Sequence, residues 1–227
     1  TTLSIAGGVD GTGNLSFANA GISLSANALT LAVGDHASGG TASLNLGTNT
    51  PTFRGAAGGA SSTTSLSLTQ DAAFTDADLP GASAFAGGLS GLTYAITSRD
   101  GNIVIADADK VADTFLTLSA GLGVEITDSL ILRSFFTDSD MEFGGDLQTS
   151  GDITINGTLT LTGATRLNSG LGATSLNGVA AGANDFAVTA NSLTLGGSIT
   201  GTRTLVLQPG AASRDVVLVL LGSVLGS

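Results

Sequence analysis

The sequence contains no cysteine and no tryptophan, and it has only one tyrosine, one histidine and three prolines in 227 residues. Without cysteine there can be no disulfide and no thiolate metal site, so oxidation cannot staple the fold. The absence of cysteine from a chain of this length favours an exported bacterial protein that avoids periplasmic oxidation. Aromatic residues make up only 4% of the chain, which favours a thin, regular core of Leu, Ile, Val and Ala.

Two further scarcities exclude common function classes. His36 is the only histidine and lies in the turn-like stretch GDHASGG, so a Ser/His/Asp triad would have to depend on it. With no cysteine nucleophile either, we expect no enzymatic activity and no catalytic residues. The longest apolar run, Val216–Ser227, is too short to cross a bilayer, so we expect no membrane insertion.

The net charge is −11, and it is concentrated in one part of the chain. Between Asp71 and Asp152 there are 14 acidic residues against Arg99, Lys110 and Arg133, whereas the rest of the chain is neutral. An acidic segment repels phosphate backbones and anionic lipids, so we expect no binding to nucleic acid. The simplest interpretation of this segment is a solvated, solubilising surface.

Period-two alternation of apolar and small polar residues predicts an all-β fold. The runs are short, and the 34 glycines with Asn and Asp punctuate them at expected corners. Helical spacing is confined to Gln70–Pro80 and Ala106–Phe115, where a turn or two of helix fits. The alternating runs are LSIA, LSFA, ISLS, LTLA, LNLG, LSLT, IVIA, LTLS, ITIN, LTLT, LTLG and LVLQ.

We predict a single elongated β-solenoid over residues 1–227, with a less regular acidic middle at about 71–152. Small residues beside each apolar run and the shortage of rings both favour the narrow stacked core of a solenoid. The alternative is a set of β-sandwich domains joined by donated strands. The residues predicted to form inward columns are Leu159, Leu161, Leu193, Leu195, Leu205 and Leu207.

Paired acids suggest two kinds of chemistry. The pairs Asp76/Asp78, Asp107/Asp109 and Asp138/Asp140 each place two carboxylates on one side of a strand or turn. Clustered Asp performs acid–base work in β-helical enzymes that cleave polysaccharide, but a chain with one Tyr and no Trp lacks rings to stack sugars. The other use is Ca²⁺, which prefers oxygen ligands, and Asp107, Asp109 and Asp113 form one plausible loop. No other cofactor is expected.

The segment Asn184–Leu218 resembles the repeat of large filamentous-haemagglutinin-like exoproteins of Gram-negative bacteria. The matching positions include Leu205, Leu207, Gln208 and Pro209, followed by an A-x-x-R element at Ala211 and Arg214. The stretch GDITINGTLTLTG is similar to the strand pattern of two-partner-secreted proteins and autotransporter passengers. The resemblance covers about half of the chain. It implies a right-handed parallel β-helix, exported to the bacterial cell surface, that acts as an adhesive or structural fibre.

The two ends of a solenoid expose strand edges, and this sequence begins and ends on apolar runs without charge. We therefore expect an assembly interface that pairs with a neighbouring coil of a longer chain or with another copy. Its predicted residues are Thr2, Leu3, Ile5, Val216, Val217, Val219, Leu221 and Leu225. The predicted function is a segment or subunit of an extracellular surface fibre or adhesin, with itself and a host or surface glycan as partners. The alternative is a β-helical enzyme or binding module that acts on surface polysaccharide.

Overall fold

The computed structural model describes residues 2–6, 15–16, 23–33, 42–46, 50–56, 62–211 and 217–220. Helix in these residues is confined to three-residue 3-10 turns at Asp76–Asp78, Ala82–Ala84 and Ala108–Lys110. The turns lie within or close to the two stretches where the sequence allowed helix. The chain divides into two compact units, Thr1–Leu122 and Gly123–Ser227, and the division falls inside the acidic segment.

The described strands pair in parallel, and the chain winds into stacked coils to achieve this. The fold is a β-solenoid, which confirms the predicted all-β class. Parallel pairing of strands from successive coils contradicts the alternative of β-sandwich domains, because sandwich sheets are built from antiparallel strands. Backbone groups form hydrogen bonds with the coils on either side, which lie roughly 4.8 Å apart. The core inside the coils is narrow, so it does not need many aromatic side chains to fill it.

The first unit is built around one long parallel ladder. Its strands are Thr2–Ala6 (β1), Leu15–Ser16 (β2), Ser23–Ser25 (β3), Ala28–Ala32 (β4), Leu44–Asn45 (β5), Thr52–Arg54 (β6), Ser65–Gln70 (β7), Thr93–Ser98 (β8), Asn102–Ile105 (β9) and Phe115–Ala120 (β10). The ladder runs β1–β4–β7–β8–β10, while β2 pairs with β5 and β3 pairs with β6. We count each coil of this unit from its strand in the β1–β4–β7–β8–β10 ladder.

Strand β7 shows why the alternating runs become strands. Leu66, Leu68 and Gln70 are buried, whereas the intervening serines and threonine are half-buried on the outer face. The register places Leu66 between Leu29 and Tyr94, so buried side chains stack in a column from coil to coil. Burying each such leucine stabilises the fold by about 1.5–3 kcal/mol.

Coils of the first unit differ widely in length. Leu3 pairs with Leu29, Leu29 with Leu66, Leu66 with Tyr94 and Tyr94 with Leu116, which are steps of 26, 37, 28 and 22 residues. The ladder register is kept in spite of these differences because the extra residues lie between strands. The solenoid is therefore not a strict sequence repeat.

The second unit has three parallel ladders. Its strands are Gly123–Ile126 (β11), Leu130–Leu132 (β12), Ser134–Thr137 (β13), Met141–Phe143 (β14), Asp146–Thr149 (β15), Ile153–Leu161 (β16), Thr165–Asn168 (β17), Ala173–Ala180 (β18), Asp185–Ala190 (β19), Ser192–Leu195 (β20), Ile199–Thr200 (β21), Thr204–Pro209 (β22) and Val217–Leu220 (β23). The ladders run β13–β16–β18–β20–β23, β11–β14–β16–β18–β21 and β12–β15–β17–β19–β22.

Strand β16 belongs to two ladders because it bends at a bulge between Ile155 and Thr158. Gly157 lies at the bend, and a Cβ atom there would stand 2.2 Å from the carbonyl oxygen of Ser139 in the previous coil. Any larger side chain would push the two coils apart. Gly157, the middle glycine of GDITINGTLTLTG, therefore permits one continuous strand to turn a corner and to pair on both sides of the bend.

The inward columns of the second unit confirm four of the six predicted core leucines. Leu159, Leu161, Leu193 and Leu195 are buried. Leu159 lies between Met141 and Val179 of the neighbouring coils. The two remaining leucines, Leu205 and Leu207, behave differently and belong to the site described below.

Candidate functional site

The acids of the acidic segment bind backbone groups of neighbouring coils. The Asp76 carboxylate accepts the N–H of Ala106 at 3.0 and 3.2 Å, across 30 residues of sequence. Asp140 Oδ1 accepts the N–H of Thr158 at 2.7 Å. Each bond gives a backbone N–H group a charged acceptor in a neighbouring coil. Asp76 and Asp140 therefore serve the stacking of coils, a role that their spacing in the sequence does not predict.

Asp152 acts in the same way, whereas Asp78 makes a local contact. Asp152 Oδ1 accepts the N–H of Ala173 in the following coil at 2.7 Å. Asp78 instead closes its own turn, accepting the N–H and the hydroxyl of Thr75 at 2.8 and 2.9 Å. A carboxylate that accepts backbone N–H groups is fixed in position by the fold.

The three acids proposed to bind calcium have separate local contacts. Asp107 Oδ1 accepts the N–H of Asp109 at 3.1 Å, which caps the turn Ala108–Lys110. Asp113 Oδ2 accepts the hydroxyl of Ser90 at 2.5 Å, and its backbone has a φ of 57°. Within the ranges that the structure describes, no three His, Cys, Asp or Glu side chains are grouped so as to hold a metal ion. Calcium binding by these residues stays a prediction.

One ion pair is buried at a corner of the first unit. Arg99 Nη1 donates to Asp71 Oδ1 at 2.7 Å, and the Asp71 side chain is inaccessible to solvent. Arg99 Nη2 also donates to the carbonyl of Val33 at 3.1 Å. The adjacent Gln70 bridges two backbone groups, accepting the N–H of Leu44 and donating to the carbonyl of Ala73, both at 2.7 Å. This polar cluster holds three coils together at the corner.

Tyr94 places a hydroxyl inside an apolar column. The ring lies between Leu66 and Leu116 in the register, and the hydroxyl has no hydrogen-bond partner among the described residues. Burial raises the pKa of the Tyr94 hydroxyl far above its ordinary value of 10.0. A buried hydroxyl without a partner costs free energy, so Tyr94 weakens the column that it fills.

The predicted assembly residues lie on two strands whose described partners are on one side only. Thr2, Leu3 and Ile5 belong to β1, which pairs with β4. Val217 and Val219 belong to β23, which pairs with β20 opposite Ser192 and Thr194. Both strands end the described ladders, as an assembly edge requires. Three further predicted residues, Val216, Leu221 and Leu225, lie outside the described residues, as does His36.

Strand β22 is a further open edge, and here the core prediction is confirmed for the inward register but wrong for burial. Leu205 pairs with Phe186 and Leu207 with Val188, so both leucines continue inward columns. Phe186 and Val188 are buried, yet Leu205 is 36% exposed and Leu207 is half-buried. The physical reason is position in the stack: in the described part of the chain, β22 pairs with β19 alone. The alternating pattern correctly predicts which residues face inward, but it does not reveal whether a neighbouring strand covers them.

No described helix has the length or the apolar character needed to cross a bilayer. Comparison of the chain with protein-family models, curated proteins and solved structures gave no match. The resemblance to filamentous-haemagglutinin-like repeats therefore stays a hypothesis.

Proposed function

We propose that this chain is a structural segment or subunit of an extracellular bacterial surface fibre or adhesin, and that it assembles by end-to-end stacking of β-strands. The observation that carries this proposal is the exposure of Leu205 beside the buried Phe186 in the same column. Exposed apolar residues on a strand with one unpaired edge favour the addition of another strand. A fibre that grows along the solenoid axis would supply that strand.

The composition of the open edges supports stacking. Natural proteins protect exposed edges with lysine, inward-pointing charge, proline or a bulge. Strands β1 and β23, with sequences TLSIA and VLVL, carry no charge and no proline. Strand β22 is likewise uncharged, and its one proline, Pro209, stands at its last position. All three therefore retain most of the backbone donors and acceptors that a new parallel strand would use.

A mechanical role also agrees with the chemistry of the described surface. The paired acids bond to backbone N–H groups, as Asp76 and Asp140 show, and this gives them a structural task. The outer faces of the ladders carry small hydroxyl side chains, such as Ser65, Ser67 and Thr69 of β7. Such a surface is hydrated and unreactive. Its hydroxyl groups can contact a host or surface glycan without reacting with it. We therefore propose that the protein is not an enzyme.

The extracellular location rests on two observations. A chain without cysteine folds identically in oxidising and reducing surroundings, which suits export. The resemblance of Asn184–Leu218 to exoprotein repeats favours the bacterial cell surface. The test is negative-stain electron microscopy of the purified 227-residue chain across a concentration series. We expect filaments with the width of one solenoid; discrete single particles at every concentration would contradict the proposal.

A further inference from the structure

A groove lies on the outer face of the ladder β15–β17–β19–β22 in the second unit. Its volume is about 160 Å³, and charged and small side chains make up much of its lining. The charged residues are Asp146, Arg166 and Asp185, one on each of three successive strands. The lining also includes Ala164 and Ala187, whose short side chains leave room above the sheet. The groove therefore presents hydrogen-bond donors and acceptors around one small free volume.

The charged groups of the groove are free to bind a ligand. Asp146 lies directly opposite Arg166 in the parallel register, where opposite charges usually attract one another. Asp185 lies two residues before Ala187, the register partner of Arg166 on the next strand. In the part of the chain that the structure describes, no ion pair joins Arg166 to either carboxylate. The guanidinium therefore keeps its N–H donors, and the carboxylates keep acceptor oxygens, for a molecule that enters the groove.

Stacking of a further strand would leave the groove open. Arg166 is exposed between the buried Thr165 and Leu167, so its side chain points away from the core. Val206 of the open strand β22 continues the same outer row and is 38% exposed. A strand that pairs with the free edge of β22 lengthens this outer face and does not cover it. Each copy in a fibre would therefore display one such groove.

The chemistry of the lining favours a neutral saccharide. Sugar hydroxyls donate and accept hydrogen bonds at the same time, so they can satisfy a guanidinium and a carboxylate that stand side by side. One arginine against two aspartates gives the lining a net negative charge, which disfavours anionic sugars, phosphates and nucleic acid. The exposed methyl groups of Val206 offer a small apolar contact for the C–H face of a sugar ring.

The size of the groove also limits its ligand. Pockets for drug-sized ligands typically have volumes of about 300–1,000 Å³, so a groove of about 160 Å³ fits one small unit at a time. We infer that it binds one unit of a neutral saccharide, with Arg166 as donor and Asp146 and Asp185 as acceptors. The inference rests on the proposed function, because it names the site and the chemical class of the glycan partner.

This site gives assembly a consequence for binding. A groove of this volume, with no exposed aromatic ring among its lining residues, binds a single sugar weakly. A fibre repeats the groove in every copy, so that a second contact with the same glycan becomes intramolecular. Assembly therefore raises the overall affinity for a surface that carries many copies of the saccharide.

Binding of the 227-residue chain to immobilised oligosaccharides, followed by biolayer interferometry, tests the inference. Cello-, malto- and chito-oligosaccharides are the neutral probes, and oligogalacturonate is the anionic control. Three variants change the groove in different ways. Arg166→Ala removes the donor, Asp185→Ala removes an acceptor, and Ala187→Leu fills the space above the sheet while every polar group remains. Arg203→Ala is the matched control, since Arg203 is exposed and does not line the groove.

We expect the unmodified chain and Arg203→Ala to bind at least one neutral probe and not to bind oligogalacturonate. Each groove variant should weaken this binding by about tenfold or more and keep the far-ultraviolet circular dichroism of the unmodified chain. Equal binding by the groove variants and the unmodified chain would overturn the site. A chain that binds none of the neutral probes, or that prefers oligogalacturonate, would overturn the class of ligand.

Electron microscopy of the same samples separates failure of this site from failure of the fibre. Filaments that bind no saccharide would overturn the groove as a binding site and leave the proposed fibre intact. Saccharide binding that the groove variants weaken, in a chain that forms no filaments, would support the groove and overturn the fibre.

Discussion

Leu205 lies directly opposite Phe186 in a parallel ladder, yet Leu205 is 36% exposed and Phe186 is 1% exposed. The two side chains share a column and a face, so neither propensity nor register explains the difference. Phe186 has strands on both sides, whereas Leu205 has a described strand on one side only. The contrast shows how much burial a strand on the second side contributes within the described residues.

This contrast predicts unequal effects of the same substitution at two positions. Leu193→Asp places an unpaired carboxylate at a position that is inaccessible to solvent, so we expect it to lower the free energy of unfolding by more than about 3 kcal/mol. Leu205→Asp leaves the carboxylate in contact with water, so we expect a loss of about 1 kcal/mol or less. Urea unfolding followed by circular dichroism gives both values, and equal losses would contradict the exposure of β22.

The prediction at Leu205 shows what the sequence could reveal and what it could not. The alternation in SLTL and TLVLQ is the same, and it correctly assigns inward register to Leu193 and Leu205 alike. A local pattern reports the face of a strand but not the number of strands that flank it. For that reason the class of fold could be predicted and the exposed edge could not.

Contacts between coils were also beyond the sequence. Asp140 bonds to Thr158, 18 residues away, and Asp76 to Ala106, 30 residues away. The spacing of these pairs depends on coil length, which varies from 22 to 37 residues in the first unit. The acids were therefore recognised as clustered, while their partners on the backbone of the next coil could not be named.

Tyr94→Phe should stabilise the protein. The substitution removes a buried hydroxyl that has no partner among the described residues, and it keeps the ring that fills the column. An unsatisfied buried donor costs about 1–3 kcal/mol, so we expect the free energy of unfolding to rise by about 1 kcal/mol at pH 7. Leu66→Ala is a suitable contrast, because it opens a cavity in the same column and should destabilise by about 2–5 kcal/mol.

The difference in stability between the unmodified protein and Tyr94→Phe should depend on pH, because the pKa of Tyr94 is raised in the folded state. In the unfolded chain the hydroxyl ionises near pH 10, whereas in the folded chain it stays protonated. The unfolded state therefore loses its proton first, and stability falls as the pH rises above about 10. The advantage of Tyr94→Phe should grow above that pH; a constant difference from pH 8 to 11 would show that the hydroxyl is accessible.

Removal of divalent metal tests the predicted calcium site. If Asp107, Asp109 and Asp113 bind calcium, EDTA should lower the melting temperature and calcium should restore it, because a ligand that binds only the native state stabilises that state. In differential scanning calorimetry the variant Asp107→Asn/Asp109→Asn should abolish this difference. An unchanged melting temperature in EDTA would contradict the site and leave the local contacts of Asp107 and Asp113 as their role.

Lysine at two positions of β23 should block assembly without preventing folding. Val217 and Val219 lie opposite Ser192 and Thr194, whereas Leu218 and Leu220 lie opposite the buried Leu193 and Leu195. Lysine at edge strands opposes the addition of another strand. We expect Val217→Lys/Val219→Lys to remain monomeric in sedimentation velocity with unchanged circular dichroism. Intact filaments from this double variant would show that β23 is not part of the assembly interface.

Fibre diffraction from aligned filaments tests the central claim most directly. End-to-end stacking continues the ladder of the solenoid through every joint, so the strands must run perpendicular to the filament axis. The account predicts a sharp meridional reflection at about 4.8 Å, because successive coils repeat along the axis at the strand spacing. A reflection of that spacing on the equator, or filaments that lack it altogether, would contradict growth by strand stacking.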